Sequence, residues 1–358
     1  MKRFLFMSAL ASVALASCVN DEAMENTSKA SDQKITFNAP VIGGATRAVE
    51  YTGEIETVYP TTENFKVYAL WHTNEFTSWK EEVNKTLVYM PGVTVRYNSG
   101  FNNSENDGTG GWTTGNEYEP TYYWPKEGFL TFSAYSPADA VGNFSMTENG
   151  LNIKNFSVNA SASNHYDLLY SDLTTNQKSN NYSDTNNTYD GVDIKFNHAL
   201  SAIRFKVKTK ADYSKSVKIT LTGIEIAGVH YQGSFEQNGP TWYITDGSGY
   251  ITAPYVAYPK NSESQEVKSG DAVEPTNHND VILMPQGLSD NATITVKYTM
   301  QYGTGNVIPQ TTTVKIKELT AAWEIGKRYT YTIIFGLDQI YFAPSVDSWV
   351  DVPGSGEL

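Results

Sequence analysis

The sequence predicts an all-β protein made of antiparallel sandwiches, and three observations predict it. Aromatic residues make up 13% of the chain, with 24 Tyr alongside many Thr and Asn, a composition suited to pleated, half-buried surfaces. Apolar and polar residues alternate in short runs, each bounded by Gly, Asn, Ser or Pro. No run carries the apolar repeat of a long helix, and residues 319–325 offer a single turn at most. A length of 358 residues corresponds to about two domains.

The chain opens with Lys2 and Arg3, then an apolar run over residues 4–16 interrupted only by Ser8 and Ser12. That run is shorter than the roughly 20 residues needed to span a bilayer, and residues 1–17 have the layout of an export signal. It ends in Leu15-Ala16-Ser17-Cys18, which resembles a bacterial lipobox, and Cys18 is the only cysteine in the chain. A lone Cys at this place points to lipid attachment, with cleavage freeing its amino group, in preference to a free thiol. No disulfide can form within the chain, so burial must hold the fold. Residues 18–33 are polar and small, the composition of a tether. The net charge of −13 suits an extracellular surface and disfavours nucleic acid or anionic lipid headgroups as partners.

The first strand lies within residues 34–47. Ile35, Phe37, Ala39 and Val41 alternate with Thr36, Asn38 and Pro40, which predicts one buried face. Pro40 cannot donate to a ladder, so the strand is expected at a sheet edge. Gly43 and Gly44 then break the pattern, and Arg47–Ala48 follows in what reads as a loop open to a trypsin-like protease. Five arginines occur in all: Arg3 falls in the signal, and Arg96, Arg204 and Arg328 lie in or beside expected strands.

Beyond Ala48 strands are expected at 65–71, 129–135, 151–158, 203–207, 217–226, 293–300, 311–316 and 328–335. In 203–207, Ile203, Phe205 and Val207 oppose Arg204, Lys206 and Lys208. Two polar stretches interrupt the series. Residues 98–120 read as a long exposed loop, and 171–191 as a boundary between an amino-terminal domain, 34–190, and a carboxyl-terminal one, 191–358. The last strand, within about 339–352, carries Ile340, Phe342, Pro344 and Val346 on one face. It repeats the I-x-F-x-[A/P]-x-V pattern of the first strand from the opposite end of the body.

These segments together resemble the fimbrillin family in its Mfa-like branch, the subunits of type V pili. The carriers are Cys18 in its lipobox, ITFNAPVIGGATRA around Arg47, FKVYALW at 65–71, FNHALSAIRFKV at 196–207, VILMPQ at 281–286, and GKRYTYTIIFGLDQIYFAPSVDSWVD at 326–351. The resemblance implies an outer-membrane lipoprotein precursor with two transthyretin-like β-sandwich domains, which later joins a cell-surface fimbrium. It implies lipid on Cys18 and a cut by an Arg-specific protease between Arg47 and Ala48. It further implies that the strand bearing Ile35, Phe37, Ala39 and Val41 is removed. A neighbouring copy, or a related subunit, then inserts its tail strand bearing Ile340, Phe342, Pro344 and Val346. The acidic end, residues 353–358, has no counterpart in that pattern. An edge opened by strand removal recruits another strand, and burying four apolar side chains there is worth at most about 6–12 kcal/mol. Such a head-to-tail contact does not close on itself and makes a filament.

Other classes of function fit less well. The five His residues are scattered, with no metal-ligand spacing, and no G-x-S-x-G occurs, so neither an enzyme nor a cofactor or metal is expected. His198 reads as a hydrogen-bonded strand residue. Loops beginning at Asn103 and Asn186 carry the glycine of a calcium loop, but Thr114 and Asn197 stand where Glu would ligate. The rival reading is a tip adhesin or glycan-binding surface lipoprotein that does not polymerise. Trp112, Tyr118, Tyr122, Tyr123 or Trp124 would stack on sugar in that case, although clustered aromatics are more often core. A donor-like tail favours a stalk subunit over a tip, and the Arg47 site disfavours a basal anchor.

Overall fold

A computed structural model describes residues 30–43, 56–82, 86–100, 111–115, 120–147, 149–179, 191–244, 251 and 253–349. Cys18, Arg47 and Ala48 lie outside the described residues, as do 103–110 and 186–190 at the start of the two candidate calcium loops. Strands dominate. The helical elements among the described residues are one turn at Trp79–Glu82 and 3₁₀ turns at Ala162–Asn164 and Ile316–Glu318. The turn expected at 319–325 falls just ahead of that range, at Ile316–Glu318, where Ile316 is buried.

The alternating runs become strands close to their expected places. Asn64–His72, Phe129–Ser136, Gly150–Ser157, Val217–Ala227, Thr293–Tyr302 and Lys327–Phe335 each have an apolar set matched to a core. The polar stretches yield strands as well. Gly111–Thr113 pairs with the end of Leu87–Asn98, and Thr174–Gln177 pairs with Phe129–Ser136. Trp112, expected in a loop, is therefore a buried strand residue.

The largest sheet runs Thr36–Phe37, Gly111–Thr113, Leu87–Asn98, Asn64–His72, Phe129–Ser136, Leu169–Ser171, Lys195–His198, Val41–Gly43, Glu56–Val58. The same short segment, 36–43, supplies a strand near each end of this path. The sheet therefore curls until its borders meet there. Its core holds Phe37, Tyr59, Phe65, Trp112, Phe132 and Phe196. Such ring pairs favour edge-to-face contact, and Phe37 makes two, to Phe65 at 5.8 Å and Phe132 at 6.1 Å.

A second core lies between two facing sheets. One is ordered Val281–Leu283, Ser201–Thr209, Lys327–Phe335, Ile340–Ser348. The other is ordered Tyr255–Tyr258, Val217–Ala227, Thr293–Tyr302, Val307–Lys315. Tyr298 meets Phe335 edge-on across the gap, 5.1 Å between centroids. Among the described residues pairing is mostly antiparallel, with two parallel ladders invisible to local pattern, Ser201–Thr209 with Lys327–Phe335 and Val41–Gly43 with Lys195–His198, and one isolated parallel bridge, Phe37 to Val192. Parallel neighbours need long crossovers, and here most of the opposing sheet intervenes. Arg204, expected on the solvent face, is buried. Its guanidinium bonds Asp280 at 3.1 Å, with Glu274 at 3.7 Å, because the segment carrying those acids covers that face.

A four-stranded sheet ties the two cores together: Asn143–Thr147, Gly150–Ser157, Gln232–Glu236, Thr241–Tyr243. At the seam, buried Gln237 accepts from the Ser133 hydroxyl at 2.9 Å and the Leu151 N–H at 2.6 Å, and donates to the Ser171 carbonyl. Replacing it with Leu leaves three buried groups short of a partner. We expect a loss of about 2–4 kcal/mol in urea unfolding of Gln237→Leu.

Candidate functional site

The candidate site has two parts, the seat of the amino-terminal segment and the seat of the tail. Residues 36–43 lie in the large sheet, and Ala30–Lys34 ahead of them forms a separate two-stranded sheet. Ala30–Lys34 pairs with Tyr123–Pro125, and the Ile35 N–H donates to the Tyr122 carbonyl at 2.9 Å. Thr36–Phe37 pairs on one side with Gly111–Thr113. On the other side Val192 N–H donates to the Thr36 carbonyl at 2.9 Å, and Asn38 N–H to the Val192 carbonyl at 3.1 Å. Val41–Gly43 then sits between Lys195–His198 and Glu56–Val58. Over residues 36–43 the segment has backbone partners on both flanks, a single bridge to Val192 on one side of Phe37 and ladders elsewhere, which corrects the edge position expected from Pro40. Proline is accommodated because it falls in the step between the two paired stretches.

That step also corrects the expected buried face. Ile35 and Phe37 are 0% and 1% exposed, as alternation requires, but Ala39 is exposed and Val41 only half-buried. The inward set shifts to Pro40 and Ile42. The chain changes partners between Phe37 and Val41, and the extra residue flips every later side chain to the opposite face. The pockets are therefore spaced I-x-F-x-x-P-x-I. Asn38 fixes the step: its side-chain amide donates to Asp193 Oδ1 at 2.6 Å, and its carbonyl oxygen accepts the Gly191 N–H at 2.9 Å.

Gly191 is required there by close approach. A Cβ at this residue would stand 2.6 Å from the Phe37 carbonyl carbon and 2.7 Å from the Asn38 nitrogen. Both are backbone atoms that cannot swing aside. We expect Gly191→Ala to lift the segment and cost about 1–3 kcal/mol, with faster hydrogen exchange confined to residues 36–38.

The tail strand is seated differently. Among the described residues Ile340–Ser348 pairs with Lys327–Phe335 alone and forms the border of its sheet. Ile340 and Phe342 are half-buried against the core, whereas Pro344 is exposed and Val346 is 49% exposed. Of the four apolar residues that alternate on this strand, two thus lie against its own core. Its opposite number, Val307–Lys315, is also a border strand, so this flank of the sandwich is open and little covers Pro344 or Val346. At the end of the strand Trp349 is buried and stacked on His198, 4.0 Å between centroids and 6° from parallel.

His198 Nδ1 is 2.6 Å from Asp167 Oδ2, both side chains being buried. It is thus a bonded strand residue, in line with its sequence reading. His165 is also structural. Its Nε2 bonds the Asn159 carbonyl at 3.0 Å, and its Nδ1 accepts the Ile282 N–H at 3.1 Å. Burial holds this imidazole down to about 4, against the pull of the Asn159 carbonyl. A histidine lowered when folded costs stability once the unfolded chain takes up the proton. Stability contributed by His165 is thus expected to be complete above about pH 6.5 and to fall as pH drops towards 4. His165→Gln should flatten that part of a urea-midpoint profile.

Trp112 and Trp124, weighed as sugar-stacking residues, are both buried in the first core; Tyr122 and Tyr123 are half-buried, and Tyr118 lies outside the described residues. The remaining arginines sit in strands, Arg96 exposed, Arg204 buried and Arg328 half-buried. Sequence reasoning missed Asn38, Gly191, Ile42 and Trp349. Asn38 and Gly191 look like ordinary turn residues until the two stretches that carry them meet.

A curled sheet around one core, two facing sheets around the other, a segment at 36–43 with partners on both flanks and a border strand at Ile340–Ser348 define an all-β protein. The Fimbrillin-like family profile matches residues 46–349, and the chain belongs to that family. Among curated proteins none matches the chain in sequence. Its fold is similar to that of a fimbrial protein from Bacteroides vulgatus, at 16% identity and TM-score 0.61, over 89% of this chain and all of that one. A putative cell adhesion protein from Bacteroides uniformis aligns over 89% of this chain and 99% of its own, at 13% identity and TM-score 0.49. The fimbrial anchor protein Mfa2 from Porphyromonas gingivalis aligns over 88% and 98%, at 11% identity and TM-score 0.32.

Proposed function

We propose that this protein is a stalk subunit of a surface fimbrium, exported as an outer-membrane lipoprotein through Cys18. An Arg-specific protease cuts between Arg47 and Ala48, and the tail of one copy fills the seat vacated by the segment of another. The observation that carries this reading is the seat itself. Withdrawing residues 35–43 would uncover the pockets of Ile35 and Phe37 and leave unpaired backbone groups on Gly111–Thr113 and Lys195–His198. Those groups recruit a strand. The tail supports the donor role because its own body covers it poorly.

The step at Asn38 refines the exchange. Ile340 and Phe342 have the spacing of Ile35 and Phe37, but Pro40 and Ile42 then correspond to Ser345 and Asp347. The tail is a continuous strand without a step. It therefore enters with Ile340 and Phe342 in register, and brings Pro344 and Val346 to the last two pockets from one residue earlier.

The test uses the chain from residue 19 onward, treated with limiting trypsin. Cutting after Arg47 should convert monomer into ladders that survive mild denaturant, and Phe342→Asp should stop them. Fully cut protein that stays monomeric would refute the assembly scheme.

A further inference from the structure

We propose that Lys195–His198 couples the two seats, so that emptying the amino-terminal seat loosens the hold on the tail. This short strand touches both. Along one flank it pairs with the amino-terminal segment, Lys195 opposite Val41 and Phe196 opposite Ile42. Along the other it pairs with Leu169–Ser171, His198 opposite Leu169. Its last side chain, His198, is the surface on which Trp349 lies, and Asp167 fixes that ring from Nδ1.

Trp349 is the firmest hold on the end of the tail. The residue is 5% exposed and its backbone N–H donates to the Gly326 carbonyl at 3.0 Å, whereas residues 343–347 before it are exposed. Removing residues 41–43 takes away one of the two ladders that hold Lys195–His198. A strand held on one side samples more positions, and a parallel ring stack is lost with small displacements of either ring. Loss of the segment thus weakens the grip on Trp349 and releases the tail. Coupling of this kind is reciprocal, so Trp349 must also support the seating of residues 36–43. The benefit of the link rests on the strand-exchange reading: an uncut precursor would keep its tail docked, and cleavage would create acceptor and donor in one event.

The experiment is hydrogen exchange followed by mass spectrometry on the uncut, signal-free chain. Ile42→Ala should speed exchange of the tail amides, 340–348, by about fivefold, the lower end of typical coupling between sites. Amides of Val307–Lys315, also a border strand but remote from Lys195–His198, should be unchanged. Trp349→Ala should in turn speed exchange at 36–43. Asn38→Ala, which removes only the bonds to Gly191 and Asp193, is the milder variant should Ile42→Ala fold poorly. Faster exchange at 36–43 with an unchanged tail would overturn the proposal, as would equal acceleration of the tail and Val307–Lys315. Neither readout needs assembly, so a failure of coupling is distinguishable from a failure of strand exchange.

Discussion

Phe37→Ala should lower the unfolding free energy of the uncut protein by about 3–5 kcal/mol, the range for emptying a buried aromatic site. The ring is 1% exposed and makes edge contacts with Phe65 and Phe132 on strands that are themselves central. Neither neighbour can close the gap without breaking its own ladder, so little of the cavity will relax. The step in the segment makes a sharper companion test. Ile42→Ala should cost about 2–5 kcal/mol, whereas Val41→Ala, at a half-buried site, should cost less than about 1 kcal/mol. Unbroken alternation would give the reverse order. Urea midpoints of the three variants settle the phase of the strand. If cleavage after Arg47 then releases the segment, the same three substitutions should speed release in the same order.

His198→Ala should cost about 3–5 kcal/mol, because it leaves the Asp167 carboxylate buried without its imidazole partner and removes the ring on which Trp349 lies. A buried charge that loses its counterpart costs more than the pair contributed while intact. Combining His198→Phe with Asp167→Ala removes both members of the bonded pair and keeps a ring for the indole. That double variant should recover much of the loss, and a thermodynamic cycle through the single variants should show strong non-additivity. Additive single effects would show that the two side chains act separately.

Much of the strand content was legible because alternation is a local property. Phe65, Val67 and Ala69 face inward for the reason their spacing suggests, and the same holds for Ile35 and Phe37. Where reading failed, two parts of the chain had to be known together. Arg204 alternates with apolar neighbours and so reads as solvent-facing, yet a segment some seventy residues later brings Asp280 over it. Trp112 sits in a run of Gly, Asn and Thr that reads as loop, yet it is buried against Tyr59, Phe65 and Tyr97. The alternation of the tail is legible in the same local way, but only its sheet shows that the strand is a border with Pro344 and Val346 exposed.

Read along the chain alone, the residues establish the all-β class, the places of most strands and the likeness of the apolar patterns at 35–41 and 340–346. Tertiary structure decided that the first of those patterns is interior and the second peripheral. Burial of a strand depends on having neighbours on both flanks and a sheet across from it, and for residues 36–43 those neighbours come from three separate stretches, Glu56–Val58, Gly111–Thr113 and residues 192–198. The step at Asn38 has the same origin: it exists because the segment leaves Gly111–Thr113 for Glu56–Val58 while staying beside residues 192–196.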